Sequence, residues 1–398
     1  MSKGVAITGM GIISSIGNSV EENLNALLES KHGISKISNI KTRHKDEIKV
    51  GEIKLTNDEL LEQLNLSESN NYSRTAMLGV IAAKEAIKNA HITDIRDCRT
   101  GLISATSVGG MDMTEKYYYE YLEDETHRKY IEGHNGGDAT QKIAEQLGIT
   151  DFATTISTAC SSSANAIMLG VRMIKAGKLD RVVVGGADCL SKFTINGFKT
   201  LMILSDTYCK PFDKDRTGLN LGEAAAFLVL ESDEIVAKHN KKVLAYVSGY
   251  GNANDAFHQT ASSENGEGAT LAMQKAFKTS GLEPRQIDYI NAHGTATPNN
   301  DLSESIAIQR VFGSDVPDLS STKAFTGHTL AAAGAIEAVY AVLAMQHNAV
   351  FPNLNYTNAI EETGIVPITE VKEKNINHVL SNSFGFGGNC STVIFSKN

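Results

Sequence analysis

The sequence predicts an α/β fold made of two similar halves, and three observations predict it. A strand-like run ending in spaced glycines occurs at Val5–Thr8 with Gly9-Met10-Gly11, and again at Val243–Ser248 with Gly249-Tyr250-Gly251. Each is followed by an apolar-periodic helix and a short strand. Each half then carries a helix opening on small residues, Ser161-Ser162-Ser163-Ala164 in one and Ala331-Ala332-Ala333-Gly334-Ala335 in the other. The repeat is one of element order and residue size, not of identity. It divides the chain into residues 1–240 and 241–398, with the two small-residue helices packing closely at the centre.

At 398 residues with 41% hydrophobic and 21% charged residues, the chain can bury a large core. A net charge of −9 gives no support to nucleic-acid binding. The five cysteines (98, 160, 189, 209 and 390) are odd in number, scattered, and without zinc-ligand spacing. Reduced thiols in a cytoplasm are expected. Residues 329–345 are apolar, but Glu337 interrupts them and the run is short for a bilayer, so no membrane span is expected.

Taken in order, Val5–Thr8 reads as a first strand and a helix starts near Ser19, with Glu21 and Glu22 in its first turn. Gly9-x-Gly11-x-x-Ser14 half-matches a dinucleotide fingerprint. Its third glycine is missing and no acidic residue follows at the right distance, so no nucleotide cofactor is expected. Residues 31–70 read as a polar surface excursion, 74–90 as a helix, and Leu102–Thr106 as a strand. The segment 111–138 carries Tyr117-Tyr118-Tyr119 and Tyr121, read as helix packing or a subunit contact. Ala139–Leu147 is a helix stopped by Gly148, and Arg181–Gly186 and Ala224–Leu230 are strands. In the second half, helices are expected near 268–280, from Asp301 and from His328. Strands are expected at Ile287–Ile290, His378–Ser383 and Ser391–Phe395.

Four stretches carry chemistry. Cys160 falls where a strand closed by Ile156 turns into a helix, and the dipole end there is expected to favour thiolate. His293, in Asn291-Ala292-His293-Gly294-Thr295-Ala296-Thr297, follows a strand at the edge where open α/β sheets hold ligands. His328 opens the second small-residue helix, five residues after Lys323, and the dipole is expected to keep it neutral. Asn382-Ser383-Phe384-Gly385-Phe386-Gly387-Gly388 ends a strand in a loop with free backbone N–H groups. Together they supply a nucleophile, two imidazoles, a cation and a donor loop.

The order Thr158-Ala159-Cys160-Ser161-Ser162, Asn291 to Thr297, Ser321-Thr322-Lys323-x-x-Thr326-Gly327-His328, and Asn382 to Gly388 resembles the β-ketoacyl-acyl-carrier-protein synthases. The likeness spans nearly the whole chain and is nearest the elongating Cys-His-His class, since the initiating class has Asn where His328 stands. It implies the thiolase fold, layered α-β-α-β-α, and decarboxylative Claisen condensation. Cys160 would take an acyl chain from a carrier-protein thioester, and His293 and His328 would hold the malonyl thioester oxygen. The N–H groups of Cys160 and Phe386 would form the acyl oxyanion hole, with Lys323 and Glu337 supporting the histidines. Thr295 and Thr297 would contact the phosphopantetheine arm. Phe384 would join them in binding substrate, Phe386 would gate the acyl pocket, and Val108 would lie near its floor. The resemblance implies no cofactor beyond the phosphopantetheine that arrives on the carrier, no metal in the site, and a homodimer or a heterodimer with a chain-length-factor-like subunit.

The chain departs from the family pattern in places. A basic run usual before the helix at 74 reads Ser67-Glu68-Ser69-Asn70-Asn71-Tyr72-Ser73-Arg74, and the loop at 205–210 is short. Lys210, Lys214 and Arg216 are candidate substitutes for carrier docking, with salt bridges within the turn as the favoured use of those charges. Gly387-Gly388-Asn389-Cys390 replaces Gly-Gly-Thr-Asn. With the tyrosine-rich segment, these changes point to a specialised polyene or polyketide-like pathway as an alternative to fatty-acid synthesis. A thiolase, with Cys390 as a second catalytic cysteine, is disfavoured by the Lys323…His328 arrangement. A non-catalytic chain-length factor is disfavoured because the nucleophile is present.

Overall fold

The computed structural model describes residues 4–67 and 69–397, so Glu68 lies outside the described residues. Ten strands form one sheet: β1 (Val5–Ser14), β2 (Thr100–Ala105), β3 (Phe152–Ile156), β4 (Arg181–Asp188), β5 (Ala224–Glu231), β6 (Ala245–Asn254), β7 (Tyr289–Asn291), β8 (Asp318–Ser320), β9 (His378–Gly385) and β10 (Asn389–Ser396). The helices that frame the site are α1 (Arg74–Asn89), α2 (Met111–Glu123), α3 (Ser162–Lys175), α4 (Lys192–Thr200), α5 (Glu267–Ser280), α6 (Pro298–Phe312) and α7 (Ala333–His347).

The strand order is β8-β7-β9-β10-β6-β1-β5-β4-β2-β3. Each strand before the β6–β1 seam has a counterpart after it: β6 with β1, β10 with β5, β9 with β4, β7 with β2, β8 with β3. Directions match as well. The β1–β5 and β5–β4 pairs are antiparallel, as are β6–β10 and β10–β9, while the outer pairs are parallel on both sides. The seam itself is short: Val5, Ala6 and Ile7 face Val247, Tyr246 and Ala245.

Apolar side chains fall into layers that follow this order. One cluster joins α1 to β1, β2, β4 and β5 on an outer face. A second, holding α3 and α7, draws on strands of both halves. A third joins α5 and α6 to β7, β9 and β10. This is the layered α-β-α-β-α arrangement. The two small-residue helices do meet at its centre: a Cβ at Gly334 would lie 2.8 Å from the Ala164 nitrogen, and the Ala335 N–H donates to Ser163 Oγ at 2.9 Å. The apolar stretch Leu330–His347 is 89% buried and serves as this core helix.

Two expectations need correction. The glycines at 9, 11, 249 and 251 do not end their strands but lie inside β1 and β6. They are glycines because helices cross there: a Cβ would come within 2.1 Å of Ala82 O from Gly11 and 2.3 Å of Ala272 O from Gly251. The 31–70 excursion also holds structure, an Ile34–Lys36/Lys49–Gly51 hairpin and a helix over Asn57–Leu64 with a Thr56/Glu59 capping box. That helix buries only Leu60 and Leu64, too few positions to show a period.

Candidate active site

Strand β3 ends at Ile156, and the chain turns through Ala159, whose φ of 52° is costly for a residue with a Cβ. The turn is held from within. Ser162 Oγ donates to Ala159 O at 2.5 Å and accepts from the Thr158 N–H at 2.7 Å, while Asn165 Nδ2 donates to Thr158 Oγ1 at 2.9 Å. This places Cys160 two residues before α3. Against it lies Gly385, where a Cβ would be 2.9 Å from the Cys160 nitrogen. Only glycine lets the Phe386 loop come this close, and the N–H groups of Phe386 and of Cys160 itself face the thiol.

The expectation of a thiolate is overturned. Cys160 is 6% exposed, and burial pushes its thiol from 9.0 to about 12 against the pull of Lys323 and the two N–H groups. That shift is worth about 4 kcal/mol, whereas a helix terminus returns at most about 2 kcal/mol. The resting nucleophile is a thiol, so its proton must leave as a bond to sulfur forms.

The two imidazoles follow from the second half. His293 sits past β7, its ring 5.4 Å from that of His328 and nearly perpendicular to it, and 5.6 Å from Phe384. Both histidines are held well below 6.5 by burial first and by the Lys323 charge second. They are neutral, for that reason more than for a dipole, since His328 stands before a 3₁₀ turn (Leu330–Ala332) and not in α7. His328 Nδ1 accepts the Leu330 N–H at 3.1 Å. A backbone N–H can only donate, so the His328 proton is on Nε2. His293 Nδ1 is buried without a partner.

Lys323 and Glu337 form a buried ion pair behind the rings. Burial pushes Glu337 up even with Lys323 bonded, and Ser383 Oγ approaches its other oxygen at 3.4 Å.

Two carboxylates hold the frame and escape sequence reading. Glu304 on α6 accepts the N–H groups of His293 (2.9 Å) and Gly294 (2.8 Å) and Asn382 Nδ2 (3.1 Å). Asp188 at the end of β4 accepts from Thr106 Oγ1 (2.5 Å), Ser107 Oγ (2.6 Å) and the Ala331 N–H (2.8 Å). It ties the first half to the turn before α7. Neither has a local motif, because its partners come from other elements.

A cavity of about 300 Å³ is lined by Cys160, His293, His328, Thr295, Thr297, Phe384 and Phe386, so the structure brings these expected residues together. Thr295 and Thr297 join hydroxyls at 2.8 Å. Phe198 of α4, unremarked in the sequence, stacks on Phe386 at 5.8 Å and also lines the cavity. Cys390 lines it too, its thiol pushed up to about 12 by burial. Val108 does not line it. Val108 packs behind, against the cluster of Leu190, Ile195 and Leu219, of which only Leu219 reaches the cavity.

Of the three cations offered as docking substitutes two are engaged elsewhere, while Lys210 is half-buried and its side chain makes no hydrogen bond or ion pair among the described residues. Arg216 donates to the carbonyls of Asp213, Thr297 and Pro298, and Lys214 pairs with Glu361. Arg74 is buried against Glu223 at 2.8 Å. Within the tyrosine-rich segment, Tyr117 stacks on Tyr130 at 4.1 Å, whereas Tyr119 of α2 is 76% exposed.

Residues 2–235 match the Beta-ketoacyl synthase, N-terminal domain, and residues 244–357 the Beta-ketoacyl synthase, C-terminal domain. The chain is 34% identical over 412 residues to 3-oxoacyl-[acyl-carrier-protein] synthase 2 of Staphylococcus aureus (strain N315), covering 100% of this chain and 99% of that one. Among solved structures it resembles the ishigamide ketosynthase/chain length factor, with TM-score 0.93, 30% identity and full coverage of both chains. It also resembles a chain of a type II PKS acyl-carrier protein in complex with its ketosynthase bound to the hexaketide, with TM-score 0.87, 25% identity and full coverage of both.

Proposed function

The chain belongs to the β-ketoacyl synthase family, a condensing acyltransferase of thiolase fold, and we propose how its own residues divide that work. The observation that carries the assignment is one cavity holding a thiol, two neutral imidazoles and two backbone N–H groups.

In the first step Cys160 sulfur bonds to the acyl thioester carbon, and the N–H groups of Cys160 and Phe386 take the charge on its oxygen. The thiol proton goes to His293, the ring with an unpartnered nitrogen. The carrier thiol leaves with that proton. In the second step the malonyl thioester loses carbon dioxide, and the electron pair moves into an enolate. His328 Nε2–H and His293 donate to the enolate oxygen. The enolate carbon attacks the acyl-enzyme carbonyl, and Cys160 leaves as thiolate and takes one proton from solvent, which balances the carboxylate lost as carbon dioxide. Lys323 keeps both rings in the neutral state that can donate, Glu337 holds Lys323, and Thr295 and Thr297 bind the phosphopantetheine arm. Phe384 borders the arm and Phe386 gates the acyl side, with Val108 behind its floor. No cofactor beyond the carrier-borne arm and no metal is needed for these steps. The nucleophile belongs to the half 1–240, and both histidines and the glycine loop to 241–398.

Acyl and malonyl thioesters of an acyl carrier protein are the substrates in this reading, and the chain works in the cytoplasm as one subunit of a dimer. The edge strand β3 and exposed Tyr119 and Leu122 offer the contact surface. Likeness to the ishigamide ketosynthase/chain length factor favours a heterodimer with a chain-length-factor-like subunit, and likeness to the type II PKS ketosynthase favours a specialised polyketide-like product. Intact mass after mixing with acyl carriers of several chain types, with Cys160→Ala as control, tests the assignment. An acyl-sized gain lost in the variant is expected. No gain with any carrier, alone or with a chain-length-factor subunit added, would sink it.

A further inference from the structure

The cavity holding Cys160 opens beside the C-terminal end of α4. Leu201 lines it, and the next residue, Met202, is 87% exposed with a φ of 55°. So apolar a side chain, held outward by a left-handed backbone, is a contact in search of a partner. The Met202 N–H donates to Lys199 O at 3.0 Å. Lys199 in turn is bonded to Glu47, and its Nζ lies 3.1 Å from His44 Nδ1. His44 is buried and pins the segment around 41–47 onto this end of α4.

That segment is electrostatically unlike the rest of the chain. Residues 31–54 hold seven Lys and Arg against three Asp and Glu, in a protein of net charge −9. Glu47 is taken up by Lys199 and Asp46 by Lys36, which leaves Arg43 and Lys45 without an ion-pair partner, whereas Lys41 lines a separate cavity with Glu52, Asp58, Asp112 and Glu115. Lys41, Arg43 and Lys45 are all exposed. Among the described residues Lys41 and Lys45 make no hydrogen bond or ion pair, and Arg43 makes no ion pair, its Nε donating only to His44 Nε2 at 3.1 Å. Of the cations that the sequence nominates, Lys214 and Arg216 are already held by Glu361 and backbone carbonyls, and Lys210 is half-buried.

We propose that Arg43 and Lys45, with Met202 as the apolar contact, dock the acidic carrier protein that delivers the thioester to Cys160. The inference rests on the condensing function above. Unpaired cations at a rim raise association rates for an anionic partner and confer salt dependence, and an adjacent exposed methionine suits an adaptable protein surface. His44 and Glu47 hold this segment to Lys199, two residues before Leu201 of the cavity lining, so a carrier seated here can send its arm past Leu201 to the thiol.

The test compares two acyl donors: acyl-carrier protein, and the same acyl group on free pantetheine, which has neither protein nor phosphate. Acylation of Cys160 is followed by intact mass for wild type, Arg43→Glu/Lys45→Glu and Met202→Ala. With the charge-reversed variant, kcat/KM for the carrier-borne donor should fall by about tenfold or more and lose its salt dependence. Transfer from acyl-pantetheine should stay within about twofold, which also shows that the variant is folded. Met202→Ala should give a smaller loss, again for the carrier alone. Unchanged transfer from the carrier, or an equal loss with both donors, would overturn the docking assignment. If wild type accepts acyl-pantetheine while neither donor distinguishes the variants, only the docking site is wrong. If wild type is acylated by neither, the condensing function itself fails and this proposal with it.

Discussion

The Leu330 N–H donates to His328 Nδ1 at 3.1 Å, and this one bond decides which His328 nitrogen faces the chemistry with a proton. Leu330 holds a φ of 53° to make it, a conformation that costs about 1–3 kcal/mol in a residue with a Cβ. His328 is thereby a fixed donor, while His293, with its Nδ1 unpartnered, is the ring free to accept.

Replacing His328 by alanine should therefore separate the two steps. Carbon dioxide release from the malonyl thioester should fall by about 10²–10³, the usual cost of one lost donor to a developing oxyanion. Acylation of Cys160, read by intact mass, should fall far less. Equal losses in both would mean that His328 serves the thiol instead.

Lys323→Met should shift the pH dependence in a definite direction. Lys323 is the cation that depresses both imidazoles after burial has done so. Without it their pKa values rise towards 6.5, so the acid limb of malonyl decarboxylation moves to higher pH. Stability responds with the opposite partner. Glu337 already lies above its ordinary range, and loss of Lys323 raises it further. A carboxyl raised in the folded state contributes stability below its unfolded pKa, near 4.3, and loses it as pH rises through the folded value. The variant should thus be least impaired near pH 5 and lose up to about 3–5 kcal/mol well above neutrality, where Glu337 is ionised and unpaired. Chemical denaturation at several pH values measures this.

Phe198→Ala should loosen the ring over the thiol. Stacked aromatic pairs contribute about 0.5–1.5 kcal/mol beyond burial, so Phe386 would leave its place more often. Alkylation of Cys160 by iodoacetamide should speed up several-fold, with the global unfolding midpoint little changed.

Gly11→Ala should cost about 1–3 kcal/mol in stability, because its Cβ would stand 2.1 Å from Ala82 O. Gly251→Ala should behave alike against α5, and Gly197→Ala, in α4 with open space around it and no left-handed φ, should cost nothing. Denaturant midpoints of the three compare them directly.

Much of the site was legible because its chemistry is local. Cys160, His293 and His328 each sit at an element end beside small residues, and the strand–glycine–helix recurrence foretold the matched order of strands around the β1–β6 seam. What escaped has the opposite character. Glu304, Asp188 and Leu330 act on backbone or ring atoms of other elements, so nothing near them in sequence marks them. Gly9 and Gly11 read as turn residues in the sequence because a glycine needed for a crossing helix looks the same as one needed for a turn. The thiolate expectation failed because burial, which only packing reveals, outweighs the dipole.

The position of β1 has a consequence for how the protein comes into being. β1 is a central strand, joined on one side to β5, which ends at Glu231, and on the other to β6, which begins at Ala245. On the ribosome the leading half can assemble β1 to β5 as soon as Glu231 has emerged. Its inner edge then stays open only for the short interval until β6 follows. Unpaired strand edges invite association with other chains, so a pause in translation placed between residues 231 and 245 would prolong the most vulnerable moment of synthesis. During it Cys160 is already made but stands uncovered, because the glycine loop at Gly385–Gly388 that encloses it is made only after β6.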